Sequence, residues 1–314
     1  MATRNRHKPL ARTLAALAKG SSLPREIIVI DASDTENTAA VIETAEGFEN
    51  VALRWTKATE PGAAKQRNDG VTLAQEPYIL FLDDDILPER DCLQRLHRAL
   101  IENPVLGGVS SMITNQQYQR PGRLSRIIVR ILGGTGTRED AGKLLSGVRN
   151  VLPASGNDLP EVQDVQWLNT TCTLYRREAL PLPAFPPHFY GASVCEDLAL
   201  SLVIAQRGWK LGNARLACIF HDSQGGEHKA NQGNLIEEEF TNRAYVLRRI
   251  LERPELQNLL LLLLSQGFEA IASSIATKSP KLLIPLTRGI TRGLQNSKLD
   301  LLPPRYAEHL RNRT

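Results

Sequence analysis

Continuous apolar runs alternate with helical periodicities along the first hundred residues. "LARTLAALAKG" repeats apolar positions at helical spacing and stops at Gly20, a residue suited to the place just past a helix end. "EIIVI", residues 26–30, is an unbroken β-branched run, which predicts a strand buried on both faces. A helix is expected from about Thr35 to Glu46, a short strand around "VALRW", a helix over "GAAKQRNDGVTLA", and a strand at "YILFL". After Pro88, Cys92, Leu93, Leu96, Ala99 and Leu100 fall at helical spacing, and a strand follows near "LGGVSSMIT". Such alternation predicts an α/β fold, a parallel sheet covered by helices on both faces.

Residues 116–165 break the pattern. Within them Leu124, Ile127, Ile128 and Ile131 share one helical face, with Arg120, Arg123, Arg126 and Arg130 along the neighbouring face. Two readings stand: a surface helix packed on the sheet, or a basic amphipathic helix at an anionic membrane. "GGTGT", 133–137, lacks the preceding strand and following Lys-Ser/Thr of a phosphate loop and reads as a flexible connection. "VQWLNTTCTLYRREAL" predicts one strand running into a helix start, and a helix is expected from Glu196 to Arg207, stopped by Gly208. The polar, glycine-bearing "SQGGEHKANQGN" reads as a mobile loop, and the remainder as a helical appendix. There is no internal repeat.

Composition narrows the class. The 314 residues are 42% apolar with a net charge of +4, ordinary for a globular protein, and no nucleic-acid-binding motif accompanies the charge. Cys92, Cys172, Cys195 and Cys218 are scattered, so neither zinc spacing nor a disulfide framework is present. They predict reduced, mostly buried thiols in the cytoplasm. The basic N-terminus has no apolar core and is no secretory signal. The longest apolar stretch, 258–276, has an unbroken leucine run of only six residues and carries Gln266 and Glu269, which argues against a membrane span of about 20 apolar residues.

The candidate chemistry sits where strands end. "YILFLDDDILPERD" runs from a buried strand straight into Asp83, Asp84 and Asp85. Two carboxylates about 4 Å apart repel by roughly 4 kcal/mol at an effective dielectric near 20. A divalent cation would offset that, and hard oxygen ligands suit Mg²⁺ or Mn²⁺, with a diphosphate completing the shell. The plainer reading is a solvated acidic turn, with Asp83 or Asp84 capping the helix after Pro88. A second acidic pair, Glu196 and Asp197, opens a helix behind a Pro- and aromatic-rich loop. There a carboxylate can cap the helix or take a proton from an alcohol.

Four segments then follow in a recognisable order: "EIIVIDASDTEN", "PGAAKQRNDGVTLAQEPYILFLDDDILP", "TLYRREAL" and "CEDLALSLVIAQRGWKL". Over about residues 3–222 the chain resembles inverting glycosyltransferases of the GT-A fold, in the large bacterial family with rhamnosyl- and galactosyl-type members. The resemblance implies a mostly parallel central sheet with helices on both faces and a C-terminal helical extension. It divides the chain into a nucleotide-sugar-binding half (1–115), an acceptor-binding half (116–225) and a C-terminal loop and helical extension (226–314). It implies donor contacts from Thr3 and Asn5 in the "ATRNR" turn, from Asp31 to the base or ribose, and from Lys65, Arg67 and Asn68. Asp83 and Asp85 match the Asp-x-Asp metal and nucleotide positions, with Asp84 between them. Asp197 matches the acceptor-activating base, with Glu196 beside it. His221 matches an occasional further metal ligand, though a lone histidine at a strand end is as readily structural. Trp167 and Tyr190 are candidates for stacking on sugars or for core packing.

The expected partners are a nucleotide-diphosphate sugar and a saccharide or lipid-linked acceptor, with no nucleic acid; for residues 235–314 two readings stand, helices packed on the catalytic core or peripheral attachment to the inner membrane face. The absence of a Gln-x-x-Arg-Trp motif implies transfer of a single sugar. One departure stands out. The family opens with a central strand before the "T-x-N-R" turn, and here "ATRNR" begins at residue 2. Buried backbone groups beside that strand would then lack partners, at roughly 1–3 kcal/mol each. Two other readings compete. A sugar-phosphate nucleotidyltransferase would need a glycine-rich triphosphate loop, and a non-catalytic nucleotide-sugar binder or membrane scaffold would bind without turnover.

Overall fold

The computed structural model describes residues 1–189, 193–223, 232–253, 255–276 and 283–295. Tyr190, residues 224–231 of the polar loop and residues 296–314 of the C-terminal extension lie outside them. The chain opens with β1 (Ala2–Thr3), α1 (His7–Leu17), β2 (Glu26–Asp31), α2 (Asn37–Glu43), β3 (Ala52–Lys57), α3 (Ala63–Leu73) and β4 (Tyr78–Leu82). Then come β5 (Ile86–Pro88), α4 (Cys92–Glu102), β6 (Leu106–Ile113) and α5 (Arg123–Ile131). A small hairpin, β7 (Leu144–Leu145) and β8 (Arg149–Asn150), precedes β9 (Val162–Val165), β10 (Cys172–Arg176), α6 (Glu196–Gln206) and β11 (Lys210–His221). The C-terminal helices are α7 (Gln232–Tyr245), α8 (Leu256–Ala276) and α9 (Leu283–Gln295).

The strands form two principal sheets. One is parallel, ordered β1-β2-β3; the other is ordered β4-β10-β6-β11-β5, with β9 also on β11. β6 and β11 pair in parallel, whereas β10 runs against β4 and β6, and β5 and β9 run against β11. The sheet is therefore mixed, with parallel pairing confined to β1-β2-β3 and β6-β11. β9 and β10 therefore run the same way as each other, both opposite to β6 and β11. Of the strand expected from Val165 onward only Cys172–Arg176 forms β10, β9 ending at Val165, and a single 3₁₀ turn at Arg177–Ala179 stands where a helix start was expected. Every residue of β6 is buried. At Gly108 a Cβ would lie 2.6 Å from the Tyr175 ring, so only glycine lets that buried aromatic lie against the strand. Trp167 is a core residue, with Nε1 donating to the Val151 carbonyl at 2.8 Å. All four cysteines are free, three of them buried.

β1 is two residues long and stands at the end of a slot. Below Ala2 a cavity of about 480 Å³ separates the two sheets. It is lined by Glu26, Ile27 and Ile28 of β2, by Tyr78–Leu82 of β4, and by residues of α3 and α4 on its two faces. The Met1 amine donates to the Ile28 carbonyl at 2.7 Å. Burial there, aided by Arg67, pushes its pKa down to about 5. The slot runs between the facing edges of β2 and β4. A variant carrying five β-branched residues ahead of Met1 is expected to fill it and to replace the buried amine with an amide. Calorimetry should show melting raised by about 4–10 °C; an unchanged or lower value would mean that the slot does not accept a strand.

The C-terminal helices correct one expectation. α8 is a continuous helix of 21 residues. By length and composition Leu256–Ile275 is apolar enough to cross a membrane, which counting the six-leucine run alone missed. It is also seated on the fold: Leu262 and Ala270 are buried, and Glu269 pairs with Arg149 of β8 at 2.6 Å.

Candidate active site

The acidic loop after β4 is held by its backbone. Asp83 N donates to the Thr171 carbonyl, Asp222 N donates to the Asp85 carbonyl, and the Thr13 hydroxyl donates to the Asp84 carbonyl at 2.9 Å in each case. The three side chains are then served by two arginines and a histidine. Arg67 Nη2 donates to Asp83 Oδ1 at 2.8 Å. Arg6 donates from Nε to Asp84 Oδ1 at 2.9 Å and from Nη2 to Asp85 Oδ2 at 2.5 Å. Thr3 adds a 2.6 Å hydroxyl bond to Asp84 Oδ2, and His221 Nε2 lies 3.2 Å from Asp85 Oδ1. Neither Asp83 nor Asp84 caps the following helix, whose N-cap position is Asp91. Burial pushes Asp84 up to about 6, against the pull of Arg6 and Thr3.

The second acidic pair comes from across the cleft. Arg67 Nη1 donates to Glu196 Oε1 at 2.7 Å, so one guanidinium spans the β4 loop and the start of α6. The loop before α6 is pinned to α3. Asn68 donates to the Phe185 carbonyl at 2.8 Å and accepts from Phe185 N at 2.9 Å, and Ser193 Oγ accepts from Ala64 N. Asp197 Oδ1 accepts from Leu198 N at 2.7 Å. Burial, then the neighbouring Asp197, pushes Glu196 up to about 8 despite Arg67; burial also raises Asp197.

The other predicted residues have distinct surroundings. Asp31 is fully buried; Ser33 N and Trp55 Nε1 donate to its two oxygens at 2.8 and 3.1 Å, and the Ser33 hydroxyl also donates to it. Asn5, in the left-handed region at φ 55°, exchanges hydrogen bonds with Asp34 and ties the β1–α1 turn to the loop after β2. Lys65 pairs with Asp69 at 2.8 Å, one helical turn on. Asn68 is spent on Phe185. Thr3, Arg67, Asp83, Asp84, Asp85, Glu196 and His221 thus join one network, while Lys65 and Asn68 face other partners. Sequence reading passed over Arg6, although charge accounting had called for a cation opposite the aspartates. Gln66 was also missed; its amide donates to the Thr3 and Ile30 carbonyls at 2.9 and 2.7 Å and locks β1 onto α3.

Among the described residues no group of three or more His, Cys, Asp or Glu surrounds a common point. The donor set still fits a divalent cation that takes one or two carboxylates and completes its shell with phosphate and water. Asp85 with His221 at 3.2 Å, and Asp83 with 28% of its side chain exposed, supply such ligands at the cleft.

Residues 1–181 match the family described as Glycosyl transferase family 2, and the chain belongs to that family. It is a glycosyltransferase of the GT-A fold. No curated protein sequence matches the chain. Among solved structures, the mannosyltransferase PcManGT from Pyrobaculum calidifontis, in complex with GDP-Man and Mn²⁺, is similar at 18% identity and a TM-score of 0.54, covering 98% of this chain and 81% of that one. TarS 1–349 of S. aureus, in complex with UDP-GlcNAc, is similar at 15% identity and a TM-score of 0.59, with the same coverage. GalNAc-T7 with UDP, GalNAc and Mn²⁺ is similar at 14% identity and a TM-score of 0.54, covering 89% of this chain and 57% of that one.

The raised Glu196 gives a signed test. A carboxyl with a folded-state value near 8 against an ordinary 4.5 binds its proton more tightly in the folded protein. Its contribution to stability is fully present below about pH 4.5 and is lost as pH rises through about 8. Glu196→Gln should flatten that part of the stability profile, read by urea unfolding across the window. A profile identical to the parent's would show that Glu196 does not titrate there.

Proposed function

We propose that the protein transfers one sugar, with inversion, from a nucleotide-diphosphate sugar to an acceptor hydroxyl on a saccharide or lipid-linked saccharide. The observation that carries this reading is Arg67, holding Asp83 at 2.8 Å and Glu196 at 2.7 Å. It sets a diphosphate-suited acidic loop and a buried carboxylate pair on facing sides of one cleft. The bound nucleotide sugars and Mn²⁺ of the similar structures support the donor and the metal.

Asp83 and Asp85, with His221, would hold Mg²⁺ or Mn²⁺, which when bound neutralises charge on the leaving diphosphate. The chain's own groups carry the remaining work. Arg67 and Arg6 bring positive charge to the same place, within bonding distance of all three aspartates. Asp197 takes the proton of the acceptor hydroxyl, and burial, which raises its affinity for protons, favours that task. The acceptor oxygen bonds to the anomeric carbon from the face opposite the donor oxygen. The bond to diphosphate breaks with its electron pair leaving on phosphate oxygen, so one displacement inverts the centre without a covalent sugar–enzyme intermediate. Thr3, Asn5 and Asp31 shape the donor side through the turns they hold. Four free cysteines agree with a reducing, cytoplasmic setting.

Asp197→Asn is expected to lower kcat about 10²- to 10⁴-fold while leaving donor binding nearly unchanged. Asp85→Ala is expected to abolish Mn²⁺-dependent donor binding in calorimetry. Full turnover by Asp197→Asn would remove the base assignment. Donor binding without turnover in the parent, across a panel of acceptors, would favour a non-catalytic binder.

A further inference from the structure

We infer that α5 docks the protein on the surface of an anionic lipid bilayer. Leu124, Ile127 and Ile131 recur at i, i+3 and i+7 yet are 66%, 55% and 52% exposed. On a soluble helix such a stripe faces the core. Here the helix already has a buried face, because Val129 and Leu132 pack with Leu145 against Leu261 of α8. The outer stripe is therefore a second apolar face with no protein against it among the described residues.

Charge names the occupant. Arg123 and Arg130 lie beside the stripe on the outer face, Arg120 lies just ahead of the helix, and all three are exposed. None of the three is ion-paired among the described residues. From residue 103 to residue 138 the sequence holds five arginines and no acidic residue. An apolar stripe flanked by uncompensated arginines complements lipid headgroups that are negative above an apolar interior. The side chains can sink while the guanidinium groups stay at headgroup level. At nine residues α5 is about 14 Å long, too short to span and suited to lying in the plane. α8 carries an exposed apolar stripe of its own, with Leu256, Leu260, Ile271 and Ile275 on one helical face.

The location has a consequence for the site. Gln116 Nε2 lies 2.9 Å from His221 Nδ1, and His221 lies against Asp85. Arg123 is seven steps along the chain from Gln116, at most about 25 Å. A docked α5 brings the rim of the cleft to the bilayer, where an acceptor with a lipid tail would present its sugar. This last step rests on the glycosyltransferase reading; the docking does not.

The test is flotation of the full chain with vesicles of phosphatidylglycerol and phosphatidylcholine, against phosphatidylcholine alone, with no donor or metal added. Binding is expected only to the anionic vesicles and should weaken as salt rises. Arg123→Glu with Arg130→Glu is expected to weaken it at least about 10-fold. Ile127→Ser with Ile131→Ser is expected to do the same without lowering the melting temperature, because both side chains are exposed. No flotation, equal flotation on neutral vesicles, or unchanged binding by both variants would overturn the inference. So would a dimer in sedimentation that the Ile→Ser variant dissolves, since the face would then belong to a second copy. Because vesicle binding needs no turnover, its failure is distinct from failure of the enzymatic reading.

Discussion

The architecture turns on one buried guanidinium. Arg67 is contributed by α3, and it reaches Asp83 on one side and Glu196 on the other. Burial alone would discharge or expel such a group, and the two carboxylates hold it charged. Breaking a buried pair of this kind leaves an uncompensated charge, at about 3–5 kcal/mol. The same contact sets the spacing of the cleft. α3 is fixed against β1 by Gln66 and against the loop before α6 by Asn68, so the helix aligns both walls.

The acidic triplet shows how three adjacent carboxylates can close a buried strand. Each is given a different neighbour: Arg67 for Asp83, Arg6 and Thr3 for Asp84, and Arg6 with His221 for Asp85. The loop backbone is tied independently, so the side chains can exchange partners without the loop losing its place. That separation of backbone support from side-chain charge is what a binding loop needs.

Much of this was legible in the chain, for identifiable reasons. The β-branched run at 26–30 and the apolar run into Asp83 carry their own period, so β2, β4 and the position of the triplet follow from local pattern. Glu196 and Asp197 are marked by opening a helix after a proline-rich loop. What pattern does not show is pairing across distance. Arg6 meets Asp84 over a separation of 78 residues, and no local rule singles it out from other basic residues near the N-terminus. In "AAKQRN" the resemblance singles out Arg67 for the acid cluster, and helical geometry turns Lys65 and Asn68 to different neighbours. The direction of β10 was hidden too, because an apolar strand reads the same whichever way its partners run.

The cavity between β2 and β4 leaves the two sheets without a shared strand along much of their facing edges. What bridges them near the cleft is polar: Thr3 and Arg6, from the β1 side, grip Asp84 and Asp85 on the β4 side. The charges proposed to meet the donor consequently serve as rivets between halves of the scaffold. A change that tunes donor affinity at this spot also alters how firmly the molecule is joined, so affinity and cohesion are inherited together.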